Sequence, residues 1–355
     1  MRTKSLGLAL LLIGLSAAAP RAEAETAWLG LIAGPPAGSE TVLAGDMASL
    51  LGEDSTIRVL PMLGDAGAGN IALLLNDPRV DVAFVSTDAL AASQASGMNL
   101  AERLELVARL YPQEVHVLAR AEIASLAGLA GKKVNFGPAG GGSATTAAAL
   151  FKSLGIKVEA QSLDADAAIE RLKQGTIAAA VIVGGKPSPL VSSVPANFGI
   201  HLLPVPFGAS LEASYLPTRF AQGDYPNLIQ PGGEVATVAT GMVLLAAKAK
   251  SAPGASERVA RFVQAFFPRF PELEASDRHP KWREVNLAAS LPGFTRTPAA
   301  EAWLESRPAE VSAQPIAAST GGGVQPASLP EGLMTKNDKE ALFRRFIEWQ
   351  HTKRR

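Results

Sequence analysis

Short runs of apolar and β-branched residues alternate along the chain with segments whose apolar positions recur at helical spacing. Nearly every run is followed by glycine, proline or a small hydroxyl residue, the composition of a turn that ends a strand and opens a helix. The pattern predicts a strand over 28–32, a Gly-Pro-rich loop over 34–38 and a helix over 39–51. Further strands are expected over 57–62 and 80–85, the first feeding the loop 64–69 and a helix from Asn70, the second feeding a helix capped by Ser86-Thr87-Asp88. A second set repeats this logic: a strand over 133–136, the loop 137–142, a helix over 143–154, a strand over 157–160, a helix over 164–174 and a strand over 178–183. The apolar run 235–247 reads as one more buried strand and 257–267 as a helix.

Alternating strands and helices build mostly parallel sheet covered on both faces. The alternation breaks near Ala119 and near Gly233, which predicts a chain that crosses between two α/β lobes twice, with a cleft between them. Lobe I is expected to comprise 25–118 and 235–305 and lobe II 119–234. Residues 306–332, rich in Ala, Ser, Gly and Pro, read as a flexible linker. Residues 333–355 read as an amphipathic basic helix, with Leu342, Phe343, Phe346, Ile347 and Trp349 at near-helical spacing before Lys353-Arg354-Arg355. Such a helix docks either on the protein's own surface or on a partner or anionic membrane.

The first 24 residues have the layout of a signal peptide: basic Arg2 and Lys4, an apolar run over 6–19, and Ala22-Glu23-Ala24 as a small-residue cleavage site. That run is shorter than the roughly 20 residues a membrane helix needs. The expected product is exported to the periplasm, the alternative being an uncleaved anchor. Composition then removes whole classes of function. With 47% apolar and 19% charged residues the chain forms a core, so a disordered chain is excluded, and its 355 residues suit two domains. The 33 Lys and Arg balance 33 Asp and Glu, which leaves no basic footprint for a nucleic-acid backbone. There is no cysteine, so neither a disulfide framework nor a thiolate zinc site is available.

The most informative local feature is 137–146, Gly-Pro-Ala-Gly-Gly-Gly-Ser-Ala-Thr-Thr, after a strand and opening a helix. Such a turn directs backbone N–H groups, the helix dipole and small hydroxyls at one point, which suits a carboxylate or phosphate. The other reading is a tight connection with Ser143 as the helix cap. No lysine completes a nucleotide-binding P-loop, and Gly67-Ala68-Gly69 lacks the acidic strand end of a dinucleotide fingerprint. His116, His201, His279 and His351 are dispersed and form no metal site, and His116 within an apolar strand reads as a structural residue. No Gly-x-Ser-x-Gly elbow or acid and base pair is present, so no cofactor, metal or catalytic group is expected.

Several segments in order resemble the TAXI group of solute receptors that serve TRAP transporters, proteins of the type II periplasmic-binding-protein fold. They are Gly34-Pro35-Pro36-Ala37-Gly38-Ser39, the run 82–88, Leu110-Tyr111-Pro112 with Glu114 and His116, and 129–134 leading to the glycine loop. Gly184-Gly185-Lys186-Pro187, Tyr225-Pro226 and His279-Pro280 follow. The resemblance implies a two-lobed α/β receptor, its mixed and parallel sheets joined by a two-strand hinge, that binds a glutamate-like or related carboxylate and passes it to a TRAP-type permease. It places Ser39 and Glu40 of the first loop, Gly67 and Asn70 of the second, and Ser86 and Asp88 of the third around the cleft. Gly141, Gly142, Ser143 and Thr146 of the glycine loop join them, with Lys186 and Pro187; a solvated loop lysine is the alternative for Lys186. Departures from the group's pattern are Ser39-Glu40-Thr41 where it has Thr-Tyr-Tyr, Gly67 where it has serine, and Gly140-Gly141-Gly142-Ser143-Ala144 where it has Gly-Ser-Gly-Thr-Glu, which loses a hydroxyl and the acid. Loss of the rings and gain of Glu40 favour a smaller or amino-bearing ligand, the alternative being a receptor that no longer transports. A signalling receptor of the same fold, acting through its C-terminal tail, is the alternative function.

Overall fold

Strand β1 (Ala27–Ile32) turns Leu29 and Leu31 to one face of a sheet and Ile32 to the other, all three buried, as a strand covered on both sides requires. It pairs in parallel with β2 (Ile57–Met62) and β3 (Val82–Ser86), in the order β2-β1-β3. The intervening helices are α1 (Ser39–Leu51), α2 (Ala68–Asn76) and, after β3, α3 (Thr87–Ala95). A short helix α4 (Leu100–Arg103) leads into β4 (Leu104–Arg120). The parallel unit then recurs as β5 (Lys133–Asn135), α5 (Gly142–Ser153), β6 (Glu159–Gln161), α6 (Ala165–Lys173) and β7 (Ala179–Gly184), in the order β7-β5-β6. Next come α7 (Pro189–Ser192), β8 (Ile200–Leu202), β9 (Leu216–Ala221) and β10 (Glu234–Ala247), before α8 (Ala255–Arg269) and α9 (Pro298–Glu305) close the order. This computed structural model describes residues 26–52, 56–212, 214–249 and 252–307; the expected signal peptide, nearly all of the linker and the terminal helix lie outside the described residues.

The sheet follows the path β2-β1-β3-β10-β4-β7-β5-β6, with β8 on β4 and β9 on β10. β4 and β10 are antiparallel to each other and run through both halves of the molecule. β3 pairs with residues 242–246 of β10, and β7 with residues 114–119 of β4. The chain therefore passes between halves inside these two strands, near Pro112 and Gly241, where the register shifts. The breaks in the sequence pattern lie several residues after the first passage, near Ala119, and several residues before the second, near Gly233: the pattern marks where the helix and strand alternation stops, whereas the passages sit inside the two long strands.

Each half carries apolar clusters on both faces of its sheet. In the first half, Leu29, Leu31, Met47, Phe262, Phe266 and Trp282 pack on one side and Ile32, Ile71, Val85 and Val243 on the other. α8 supplies Val259, Phe262, Val263, Phe266 and Phe267, spaced to keep one face inward. Arg258 then ties this helix to the sheet through Asp81, with contacts of 2.7 and 3.0 Å. In the second half, Leu150 and Phe151 of α5 cluster with Val134 and Val181 of the sheet, and Ile169 and Leu172 of α6 cluster with Ala180, Ile182 and Tyr225. The carboxyl ends of β1, β2, β3, β5 and β7 all point toward the seam between halves, the place where open α/β sheets hold ligands.

Candidate functional site

Turns after β2 and β5 meet head-on at the seam. The Gly142 N–H donates to Asp65 O at 2.9 Å, so the first residue of α5 is bonded to the turn before α2. Gly67 makes this approach possible. A methyl group there would lie 2.7 Å from Gly142 N and 3.0 Å from Gly140 O, closer than packing permits. In the glycine turn itself, Gly137 and Gly140 have φ of 94° and 83°, in the left-handed region that favours glycine.

Asn70 fixes the turn before α2 from behind. Its Oδ1 accepts from Asp65 N–H at 2.9 Å, while its Nδ2 donates to Ala33 O at 2.6 Å and Phe84 O at 2.8 Å, joining the ends of β1 and β3. Asp65 Oδ1 in turn accepts from the N–H groups of Gly67 and Asn70, satisfying donors at the start of α2. The buried Ser86 caps α3 through Ala89 N–H at 3.4 Å, and its own N–H donates to Ala66 O at 3.0 Å. Asp88 also accepts from Ala89 N–H and receives the Thr146 hydroxyl across the seam.

Ser143 is not the cap of α5: that place belongs to Gly141, and Ser143 Oγ accepts from Val183 N–H at 3.1 Å, leaving its hydroxyl proton to donate. The helix begins one residue earlier than its sequence suggests because Gly142 adopts helical geometry. At the other side of the seam, Ser39 Oγ donates to Gly185 O at 2.7 Å, joining the start of α1 to the end of β7. Glu40 is buried at the same point, with Oε1 accepting from Gln113 Nε2. Burial pushes its carboxyl up to about 7 against the opposing pull of its own backbone N–H. Lys186 is not a solvated loop residue. It is buried, with Nζ donating to Arg219 O at 2.7 Å and 3.3 Å from Asp224, and its peptide bond to Pro187 is cis.

Thus Ser39, Glu40, Gly67, Asp88, Gly142 and Thr146 meet across the seam, flanked by Ser86, Gly141 and Ser143, whereas Asn70 and Lys186 are bound to the chain's own groups. Gln113 and Lys281 also lie here, neither singled out from the sequence, and Tyr111 was visible only as part of the segment Leu110-Tyr111-Pro112. Lys281 Nζ, with no exposure, lies 2.6 Å from Glu114 Oε1 and 2.9 Å from Glu284 Oε2, and Glu114 Oε2 accepts from Lys186 N–H at 3.0 Å. The available signal was the polar run Gln113-Glu114 inside an apolar strand, since polar side chains at core positions need partners. His116 is satisfied: Nδ1 lies 3.2 Å from Ile182 O and Nε2 2.6 Å from Tyr225 OH. Because Tyr225 OH already accepts from Ser188 N–H, it donates to Nε2, and the ring is the neutral Nδ1–H tautomer. Burial holds this histidine down at about 3. No group of three or more His, Asp or Glu suited to a metal occurs among the described residues.

Two α/β halves joined by two long strands, with helix starts turned to the seam, are the arrangement of the type II periplasmic-binding-protein fold. The chain belongs to the NMT1-like family, whose model matches residues 32–300. Among solved structures it is similar to the periplasmic aliphatic sulphonate binding protein SsuA from Escherichia coli, at 19% identity over 82% of this chain and 77% of that one, with a TM-score of 0.43. It is also similar to a TctC solute binding protein from Polaromonas, at 17% identity, 70% and 88% coverage and a TM-score of 0.40. An ancestral arginine-binding protein bound to arginine shares 16% identity, with 69% and 94% coverage and a TM-score of 0.42. Among the described residues no helix is long and apolar enough to cross a membrane.

Proposed function

We propose that this protein is an exported, periplasmic receptor of the TAXI type that captures a small, glutamate-like carboxylate between its halves and hands it unaltered to a TRAP-type permease. The observation that carries this reading is the convergence of the starts of α1, α2, α3 and α5 on one seam. Helix starts present N–H groups and the positive end of the dipole, so their meeting point favours a negative ligand. A ligand carboxylate takes the Gly142 and Ser143 N–H groups and the Ser143 hydroxyl. Its oxygen displaces Asp65 O from Gly142, which requires the halves to part first. Ser39, Ser86, Asp88 and Thr146 surround the other end.

Each charge-assisted hydrogen bond contributes on the order of 1.5–3 kcal/mol, so two or three give about micromolar affinity after ordering costs. Binding of this kind needs no covalent step. Thermal-shift screening of residues 25–355 against amino acids, keto acids and dicarboxylates tests the reading. One carboxylate at 100 times its Kd should stabilise the protein by about 2.7 kcal/mol; stabilisation by none of them would refute it. The basic, aromatic-bearing tail supports a second reading, signalling through residues 306–355. Uptake survives deletion of that tail in a pure receptor, whereas a signal sent through it is lost.

A further inference from the structure

Where α1 meets the second half, two buried polar atoms lack a hydrogen-bond partner: Glu40 Oε2 and Tyr111 OH. Both residues are 1% exposed. Glu40 Oε2 lies against the backbone of its own loop, so close that a methyl group on Gly38 would sit 2.4 Å from it. Its Oε1 bonds to Gln113 of β4 and faces Gly184 of the second half, 3.9 Å from where a methyl group on that glycine would lie. Ser39, next in the chain, bonds to Gly185. Glu40 is therefore enclosed by three parts of the molecule at once: the first half's loop, the strand that joins the halves, and the corner after β7.

The charges around it leave no cation to balance an ionised carboxylate. Lys281 reaches into this region from the turn at residues 280–284 and is held by both Glu114 and Glu284. Lys186 of the β7 corner gives its N–H to Glu114 and its ammonium to Arg219 O and Asp224. From β4 come Gln113, Tyr111 and Glu114, whose own carboxyl burial raises to about 7 against the pull of Lys281, and from α1 only the Glu40 amide. A lone negative charge enclosed here costs several kcal/mol, so the closed arrangement needs the acid in its neutral form.

We propose that Glu40 is a proton-linked latch: its neutral carboxyl lets α1 seat against β4 and the Gly184-Gly185 corner, and its ionisation drives the two halves apart. This rests on the reading of the seam as the place where the halves open and close around a solute. Burial raises the closed-form carboxyl to about 7, and opening returns it to water and its ordinary value of 4.5. Between those values the closed form holds a proton that the open form has released. The closing equilibrium therefore weakens as pH rises through this window, by up to tenfold per pH unit, and is level below and above it. The chain has no cysteine, so two introduced ones label it cleanly. Exposed Leu73 of α2 and Glu170 of α6 serve, as Leu73→Cys and Glu170→Cys carrying a donor and acceptor dye.

Energy transfer in this full chain, with no solute added, should fall as pH is raised from 5 to 8, the closed-to-open ratio dropping by about fortyfold between pH 5 and 7. In Glu40→Gln the transfer should stay high throughout; Glu40→Met serves the same purpose if the glutamine variant does not fold. Transfer that is independent of pH in the unaltered protein, or that still titrates with Glu40 replaced, overturns the latch. Because no solute is present, either result leaves the carboxylate-binding reading to its own titration.

Discussion

Lys281 brings an ammonium into a region with no solvent exposure, where Glu114 and Glu284 hold it at 2.6 and 2.9 Å. Lys281→Met leaves Glu114 buried beside one fewer positive charge, and should lower the free energy of unfolding in a denaturant titration by about 3–5 kcal/mol. A loss below about 1 kcal/mol would show the cluster to be solvated. Burial already pushes Glu114 up to about 7 against the pull of Lys281. His116 acts in the opposite sense on acidification. Its ring is held down at about 3 in the native state against 6.5 unfolded, so the unfolded chain binds the extra proton. The stability this represents is complete above pH 6.5 and is lost as pH falls toward 3. His116→Gln should flatten that acid limb, read as thermal midpoint against pH. At Asn70, the change to Ala removes the partners of Asp65 N, Ala33 O and Phe84 O together, and should cost about 3 kcal/mol or more at roughly 1 kcal/mol or above for each. Residues of this kind were legible only as types: the resemblance sets Asn70 and Lys186 around a cleft, but does not show that their polar atoms end on the protein's own backbone.

At the level of elements, the close contact of the turns before α2 and α5 depends on Gly67. Gly67→Val inserts a branched side chain where even a methyl group would stand 2.7 Å from Gly142 N. The halves should then rest further apart, raising the radius of gyration in solution scattering while circular dichroism stays unchanged. An unaltered radius would contradict the contact. Elements bounded by strong punctuation were readable in advance: α1 over 39–51 follows Gly38 and a regular apolar spacing, and β2 over 57–62 matches its expected span. β4 was not legible as one strand, because Pro112, Gln113 and Glu114 interrupt its apolar run, although all 17 residues form a single strand that pairs with β10 over 104–114 and with β7 over 114–119. β8 and β9 escaped for related reasons. Ile200–Leu202 is too short to show a period, and Leu216–Ala221 carries Pro217 and Arg219. Ser143 illustrates the limit at helix starts: a serine after three glycines suggests a cap, but the bond it makes is to Val183, 40 residues away.

For the molecule as a whole, alternating strands and helices sufficed to foresee an α/β architecture with two halves, since that pattern leaves few ways to cover a parallel sheet. The joining of those halves through β4 and β10 is a long-range pairing that no local pattern encodes. The account depends on the Gly142–Ser143 corner as the seat of a ligand's negative group. Isothermal titration with the carboxylate that gives the largest thermal shift, in the unaltered protein and in Ser143→Asp, tests this most directly. The account predicts saturable one-to-one binding in the first and a loss of at least tenfold in affinity in the second, where a fixed negative side chain meets the ligand's own. Equal affinity in both proteins would contradict it.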